Sequence, residues 1–232
     1  MTDITIQYRF TLENGSEESF DVSLDERTLE LSEEVPASPP PWTALGFRQC
    51  PNCPLDTATA PQCPAAVKLV GLVRGFARVL SYERVHVEVR TTERTVAHDT
   101  SAQQAVSSLM GLIMAVSGCP HTAFLRPMAR FHLPSATTEE TVYRAASMHM
   151  LAQYYVHKAG GEADLELEGL ARRYEAVKEV NRAFVRRLHA AAQYDSTVNA
   201  LVVLDAWALT LSWAIEESLE GLRHLFEPYL DQ

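Results

Sequence analysis

ITIQYRFTL, residues 4–12, decides the architecture. Ile4, Ile6, Tyr8, Phe10 and Leu12 alternate with polar residues, the period of a strand with one buried face. Asn14-Gly15 follows at once and supplies a hairpin turn. ESFDVSL (18–24) and TLELS (28–32), parted by Asp25-Glu26-Arg27, extend the pattern into an antiparallel meander. Further on, VHVEVRT (85–91) alternates strongly and RTVAH (94–98) weakly, so about five strands are predicted in one sheet.

From residue 101 the pattern turns helical. AQQAVSSLMGLIMAVSG (102–118) is apolar round most of its circumference and predicts a central buried helix. Thr137 and Glu140 form a capping box for a helix reaching about Lys158, where Gly160-Gly161 ends it. Leu170, Tyr174, Val177, Phe184 and Leu188 mark one face of a long amphipathic helix. Two more helices are expected over 197–210 and 213–227, with Pro228 as a stop. The fold class is therefore α+β in one domain, residues 1–232, with an amino-terminal antiparallel sheet and a carboxy-terminal multi-helix layer. Its parts are a β meander (1–36), a Pro/Cys-rich loop (37–63), a helix over 64–80 followed by two strands (to 100), and a helical region (101–232).

Composition narrows the function classes. Hydrophobic residues make up 47% and charged residues 22%, an ordinary globular balance. A net charge of -10 argues against a general nucleic-acid binder. The charge is uneven: residues 37–159 carry seven acids and eleven bases, while both flanking segments are acidic. MTDITIQYRF has no basic start and apolar run, and Asp205 breaks the longest apolar stretch, so no membrane association is expected and a cytoplasmic location is the default.

The basic segment also holds every cysteine: Cys50, Cys53, Cys63 and Cys119. Each is followed by proline, a coincidence of about one in a hundred thousand against a background of about 5% proline. Proline favours the first helical position, which would make the preceding cysteine an N-cap, above all Cys63 and then Cys119. A thiol there feels a positive partial charge that stabilises its thiolate. Cys50-x-x-Cys53 is a two-ligand turn, Cys63 is near enough to be a third ligand, and Cys119 would join through the fold. Pro54, where zinc knuckles usually have glycine, and the absence of a second C-x-x-C depart from the zinc pattern. A structural tetrathiolate zinc is the leading reading. An iron–sulfur cluster, unmetallated redox thiols and Cys-Pro-ligated haem remain alternatives.

FRQCPNCPL (47–55), SGCPHTAFLRPMARFHLP (117–134) and MLAQYY (150–155) together resemble an uncharacterised bacterial family, a domain of unknown function. The resemblance spans most of the chain and implies that these stretches share one domain. It brings no activity with it.

His121, Arg126, Arg130 and His132 lie in one irregular segment, where Pro127 disfavours a continuous helix. Two arginines and two histidines there make a possible site for a small anionic ligand or substrate. Met110, Met114, Met128, Met148 and Met150 share a region with His149, but Met148 and Met150 face apart, so core packing explains them better than copper(I). His149 is expected to be a hydrogen-bonded core histidine. No P-loop, G-x-G-x-x-G, G-x-S-x-G or H-E-x-x-H is present, so the common motif-borne enzyme classes have no support. The leading expectation is a metal-binding protein that serves a partner or senses metal. A redox protein and an enzyme for a small anion are the alternatives.

Overall fold

The computed structural model describes residues 3–32, 37–190, 198–199 and 215–230. Strands β1 (Ile4–Leu12), β2 (Glu17–Leu24), β3 (Arg84–Arg90) and β4 (Thr95–Ser101) form one antiparallel sheet in the order β2-β1-β3-β4. The first hairpin closes at Asn14-Gly15, where Gly15 takes φ +80° and Asn14 Oδ1 accepts from Ser16 N–H at 2.9 Å. Glycine meets that left-handed requirement at no steric cost. Period 2 works as expected on β1 and β3: Ile6, Tyr8, Phe10, Val85, Val87 and Val89 are buried on one face.

The sheet has four strands among the described residues, where the sequence predicts about five. TLELS does not form the extra one. Asp25 Oδ1 accepts from Arg27 N–H, Thr28 N–H and Thr28 Oγ1, and Leu29 adopts φ +55°. That tight turn leaves a single bridge, Leu24 to Leu31, before Leu31 N–H donates to Val116 O. Alternation over five residues predicts a strand, but the local hydrogen bonds of an Asx turn outcompete a ladder.

Helix α3 (Ala102–Val116) lies against the buried face of the sheet, with Ala102, Ala105, Val106, Leu109 and Met110 fully buried. In place of one helix over 64–80 there are two short ones, α1 (Pro64–Lys68) and α2 (Val70–Gly75). The helix stops where it meets β2: a Cβ on Gly75 would stand 2.8 Å from Phe20 Cζ. Pro127 opens a further turn of helix, α4 (Arg126–Arg130), since its missing N–H is harmless in the first turn.

Helix α5 (Thr138–Lys158) starts on the expected capping box, with Glu140 N–H donating to Thr137 Oγ1 and Thr137 N–H to Glu140 Oε2. Helix α6 (Glu168–His189) buries Leu170, Tyr174, Val177, Phe184 and Leu188, as its period predicts. Together α5 and α6 hold a second apolar cluster, separate from the one beneath the sheet. The expected helix over 197–210 falls largely outside the described residues. Helix α7 (Ile215–Leu222) matches part of the last one, and Pro228 is the second residue of a short α8 (Glu227–Leu230) rather than a stop. No described helix is long and apolar enough to cross a membrane.

Candidate functional site

The four cysteines share one region of the fold although Cys119 is remote in sequence, and Cys63, Cys119 and Cys53 all act electrostatically on Cys50. Cys63 and Cys119 are buried in the main core, and Cys50 and Cys53 pack against it. All four are free thiols. Three backbone hydrogen bonds and one from a histidine side chain build the centre. The 41–63 segment folds back on itself through Cys63 N–H to Thr43 O (2.8 Å) and Leu45 N–H to Pro61 O (2.9 Å). The Cys50–Cys53 turn closes with Cys53 N–H to Cys50 O at 3.1 Å, and His121 Nε2 bonds Asn52 O at 2.7 Å. His121 thereby joins the first cysteine pair to the segment that carries Cys119. Gly118 takes φ +88°, and a Cβ there would stand 3.9 Å from Pro64 Cβ, which brings the two Cys-Pro steps side by side.

Only one cysteine caps a helix in the expected way. Cys63 is the N-cap of α1 with Pro64 at its first turn, though its sulfur closes no cap hydrogen bond. The Cys119 carbonyl instead accepts from Thr122 and Ala123 N–H in a single turn, and Cys50 opens a β-turn. The thiolate-stabilising effect is also smaller than the desolvation that opposes it. Burial pushes the Cys50 thiol up to about 12, with Cys63, Cys119 and Cys53 adding to the rise. Burial likewise raises Cys63, against the Ala66 and Ala65 amides and Arg187. With nothing bound, Cys50 is therefore a neutral thiol at pH 7. Among the described residues, no group of three or more His, Cys, Asp or Glu side chains is arranged to hold a metal ion.

Arg187, from the last turn of α6, is the residue that the sequence does not reveal. Its side chain is 1% exposed, and its guanidinium donates to Trp42 O (2.6 Å), Ala44 O (2.8 Å) and Leu45 O (3.3 Å). It lies over the rings of Phe184 and Phe47, 5.6 and 5.9 Å from their centroids. Burial works against its charge, while Cys63, Cys50 and Cys53 support it. Its Nε has no hydrogen-bond partner among the described residues, and neither has Asn52 Oδ1 in the cysteine turn.

The four residues read as a possible anion site go to separate partners. His121 serves Asn52, as above. Arg126 pairs with Glu30 at 2.6 Å and donates to Thr28 O, which pins the turn that replaced the extra strand. The Arg130 guanidinium stands over Phe131, 5.3 Å from its centroid. His132 alone of the four lines a cavity of about 200 Å³ between the two apolar clusters. There its Nε2 is hydrogen-bonded to the Tyr8 hydroxyl, which also bonds Ser108 Oγ at 3.0 Å. The cation of that cavity is Arg144 of α5, which shares the lining with Tyr174 and Asn181 of α6. Sequence reasoning missed Arg144 because an arginine on a helix with mixed polarity reads as surface.

Of the remaining candidates, His149, Met110 and Met114 behave as core. His149 is buried, with its Nε2 3.1 Å from Asp164 Oδ2. Met110 and Met114 lie in the main core, whereas Met150 is exposed.

A family model described as a domain of unknown function, DUF6901, matches residues 6–227. The chain belongs to DUF6901. No curated protein and no solved structure matches it. The match covers both the sheet and the helical layer, so this DUF6901 domain includes the thiol cluster and the cavity alike.

His132 gives the DUF6901 domain a measurable pH dependence. Burial, then the Arg144 charge, hold its pKa down to about 3. In the unfolded chain an imidazole titrates near about 6.5, so it takes up its proton there first. Stability present above that pH is therefore lost as the pH falls from about 6.5 toward 3, by up to about 2 kcal/mol at pH 5. His132→Gln should remove this slope. Urea unfolding of both proteins at pH 7 and pH 5 checks it, since the carboxylate contributions cancel in the difference. Equal pH dependence in the two would refute the assignment.

Proposed function

We propose that the chain is a metal-binding protein in which Cys50, Cys53, Cys63 and Cys119 take up one zinc ion. The ion holds the proline-rich 41–63 segment to the helices. The observation that carries this reading is Arg187. It is a buried cation beside the thiols, with an unpartnered Nε–H and no carboxylate ion pair among the described residues. A buried charge is costly unless it is compensated. Four thiolates around a divalent ion carry net negative charge, and metal binding forms thiolates even at Cys50 and Cys63, whose pKa values burial raises. Arg187 then has its counter-charge, and Nε–H has a sulfur to donate to.

Zinc–sulfur bonds are about 2.3 Å, so the sulfurs must turn inward from where they stand. Cys50 and Cys53 are only half-buried, which leaves these two side chains the most freedom to turn. Closing a loop from residue 50 to residue 119 converts binding free energy into folding free energy. The role is structural, and it prepares a surface for a partner or reports metal supply.

Elemental analysis with an absorption spectrum on anaerobically purified protein is the test. One zinc per chain and no visible absorption are expected, with zinc lost in Cys50→Ser/Cys53→Ser. That variant, like strong chelation, should expose residues 37–66 to protease first, because the metal would tie the Cys50–Cys53 turn of this segment to Cys119. A brown protein with broad visible bands would replace zinc by an iron–sulfur cluster on the same sulfurs. Metal-free protein whose double variant keeps wild-type protease resistance would end the metal reading.

A further inference from the structure

We infer that the cavity between the two apolar clusters is a binding site for a small carboxylic acid with an apolar body, held through Arg144, Tyr174 and Asn181. The inference is independent of the thiol centre. Three buried or half-buried polar groups face this space, and two of them have no side-chain hydrogen bond among the described residues. Asn181 is 2% exposed and its side chain makes no hydrogen bond among the described residues, although it sits inside α6 and lines the cavity. Tyr174 is 5% exposed, and its hydroxyl likewise has no partner among the described residues. Both groups open onto one cavity wall with no bond to the protein, so a ligand or ordered water there would supply their partners.

Arg144 decides the ligand's charge. Its Nη2 donates to Met128 O (3.0 Å) and Phe131 O (2.8 Å), which fixes the guanidinium at the cavity wall. Its other N–H groups have no protein partner and it has no ion pair, in both cases among the described residues. Glu140 acts on it only at a distance, because that carboxylate accepts from Thr137 N–H in the capping box. Tyr174 and Arg144 are close enough to influence each other's ionisation. A guanidinium, a phenol and an amide together can donate to both oxygens of a carboxylate. His132 does not compete for the negative charge, because Tyr8 occupies its Nε2 and it stays neutral at pH 7.

Leu112, Met128 and Val177 are among the apolar walls, and the other polar groups on the lining are uncharged, among them Gln104, Ser107 and Thr141. Arg144 is the one lysine or arginine on this lining, so the second charge of a phosphate or a dicarboxylate would find no cation there. A volume of about 200 Å³ is below the roughly 300–1,000 Å³ of drug-sized sites, so the acid is small.

Calorimetric titration of the full chain with benzoate and hexanoate, against benzamide and hexanamide, tests this. We expect each acid to bind one to one and at least about tenfold more tightly than its amide, the usual worth of a desolvated charged hydrogen bond. Arg144→Gln should abolish that preference. Because Arg144 also supports the Met128–Phe131 turn, Asn181→Leu serves as a second variant: it is near-isosteric, suits a helix, and should melt no lower than wild type while weakening the acids at least about tenfold. Absence of binding by either acid would overturn the inference. So would amides that bind as tightly as acids, or two folded variants that bind like wild type.

Discussion

Arg187→Met should lower the stability measured by urea unfolding by about 3–5 kcal/mol, the range for breaking a buried, hydrogen-bonded charge network. Methionine replaces the aliphatic stem and keeps most of the packing against Phe47 and Phe184. It cannot donate, so the carbonyls of Trp42, Ala44 and Leu45 lose their guanidinium bonds. Removing the partner of a buried acceptor costs about 1–3 kcal/mol each, partly offset here because the charge itself no longer has to be buried. Arg187→Lys should rescue little, since an ammonium lacks the planar fork that reaches three carbonyls at once. A loss below about 1 kcal/mol would show that these bonds contribute little net stability. The same variant should release zinc to a chelator faster than wild type, because it removes the counter-charge of the thiolates.

A similar loss is expected for Phe10→Ala, about 3–5 kcal/mol, by deleting a fully buried aromatic ring from the middle strand pair. Phe10 sits opposite Glu18 on β2 and Val87 on β3, and its ring meets three others. Phe76 is edge-on at 4.9 Å, Tyr8 stacks at 5.6 Å, and Phe20 is edge-on at 5.9 Å. The sheet, the end of α2 and the Tyr8–Ser108 contact therefore all depend on this ring. The surrounding rings are pinned by their own strands and helices, so the space can collapse only partly. Phe20→Ala, on the half-exposed side of the cluster, should cost clearly less. Equilibrium urea midpoints for the two variants check the ranking, and equal losses would contradict it.

The elements that sequence reading captured are those whose physics is local. β1 and β3 alternate strictly, α5 opens on a capping box, and α6 shows its apolar face through Tyr174 and Phe184. The failures are competitions between local signals. TLELS alternates, yet the Asp25 turn takes its backbone into side-chain hydrogen bonds. The helix from Pro64 keeps a helical pattern beyond Gly75, but Phe20 of β2 lies against that glycine and the chain turns there. Neighbouring arginines on one short segment suggested a shared site at Arg126 and Arg130. Each is instead engaged by a group near at hand, Glu30 and Phe131.

By itself the sequence determined the class of the fold and the identity of the four thiols, because periodicity and the repeated Cys-Pro step are properties of the chain in order. Only the tertiary structure decided what stands beside them. Arg187 is one arginine of an Arg-Arg-Leu-His helix end, and Arg144 one of α5; nothing in their neighbours separates them from solvated surface charges. Burial separates them. Folding buries Arg187 under the 41–63 segment, where its charge must be met by the few groups within reach, and half-buries Arg144 at a cavity between two apolar clusters. That requirement arises from residues more than a hundred positions away for Arg187, and from Met128, Phe131 and Tyr174 on other elements for Arg144, so no window of sequence contains it.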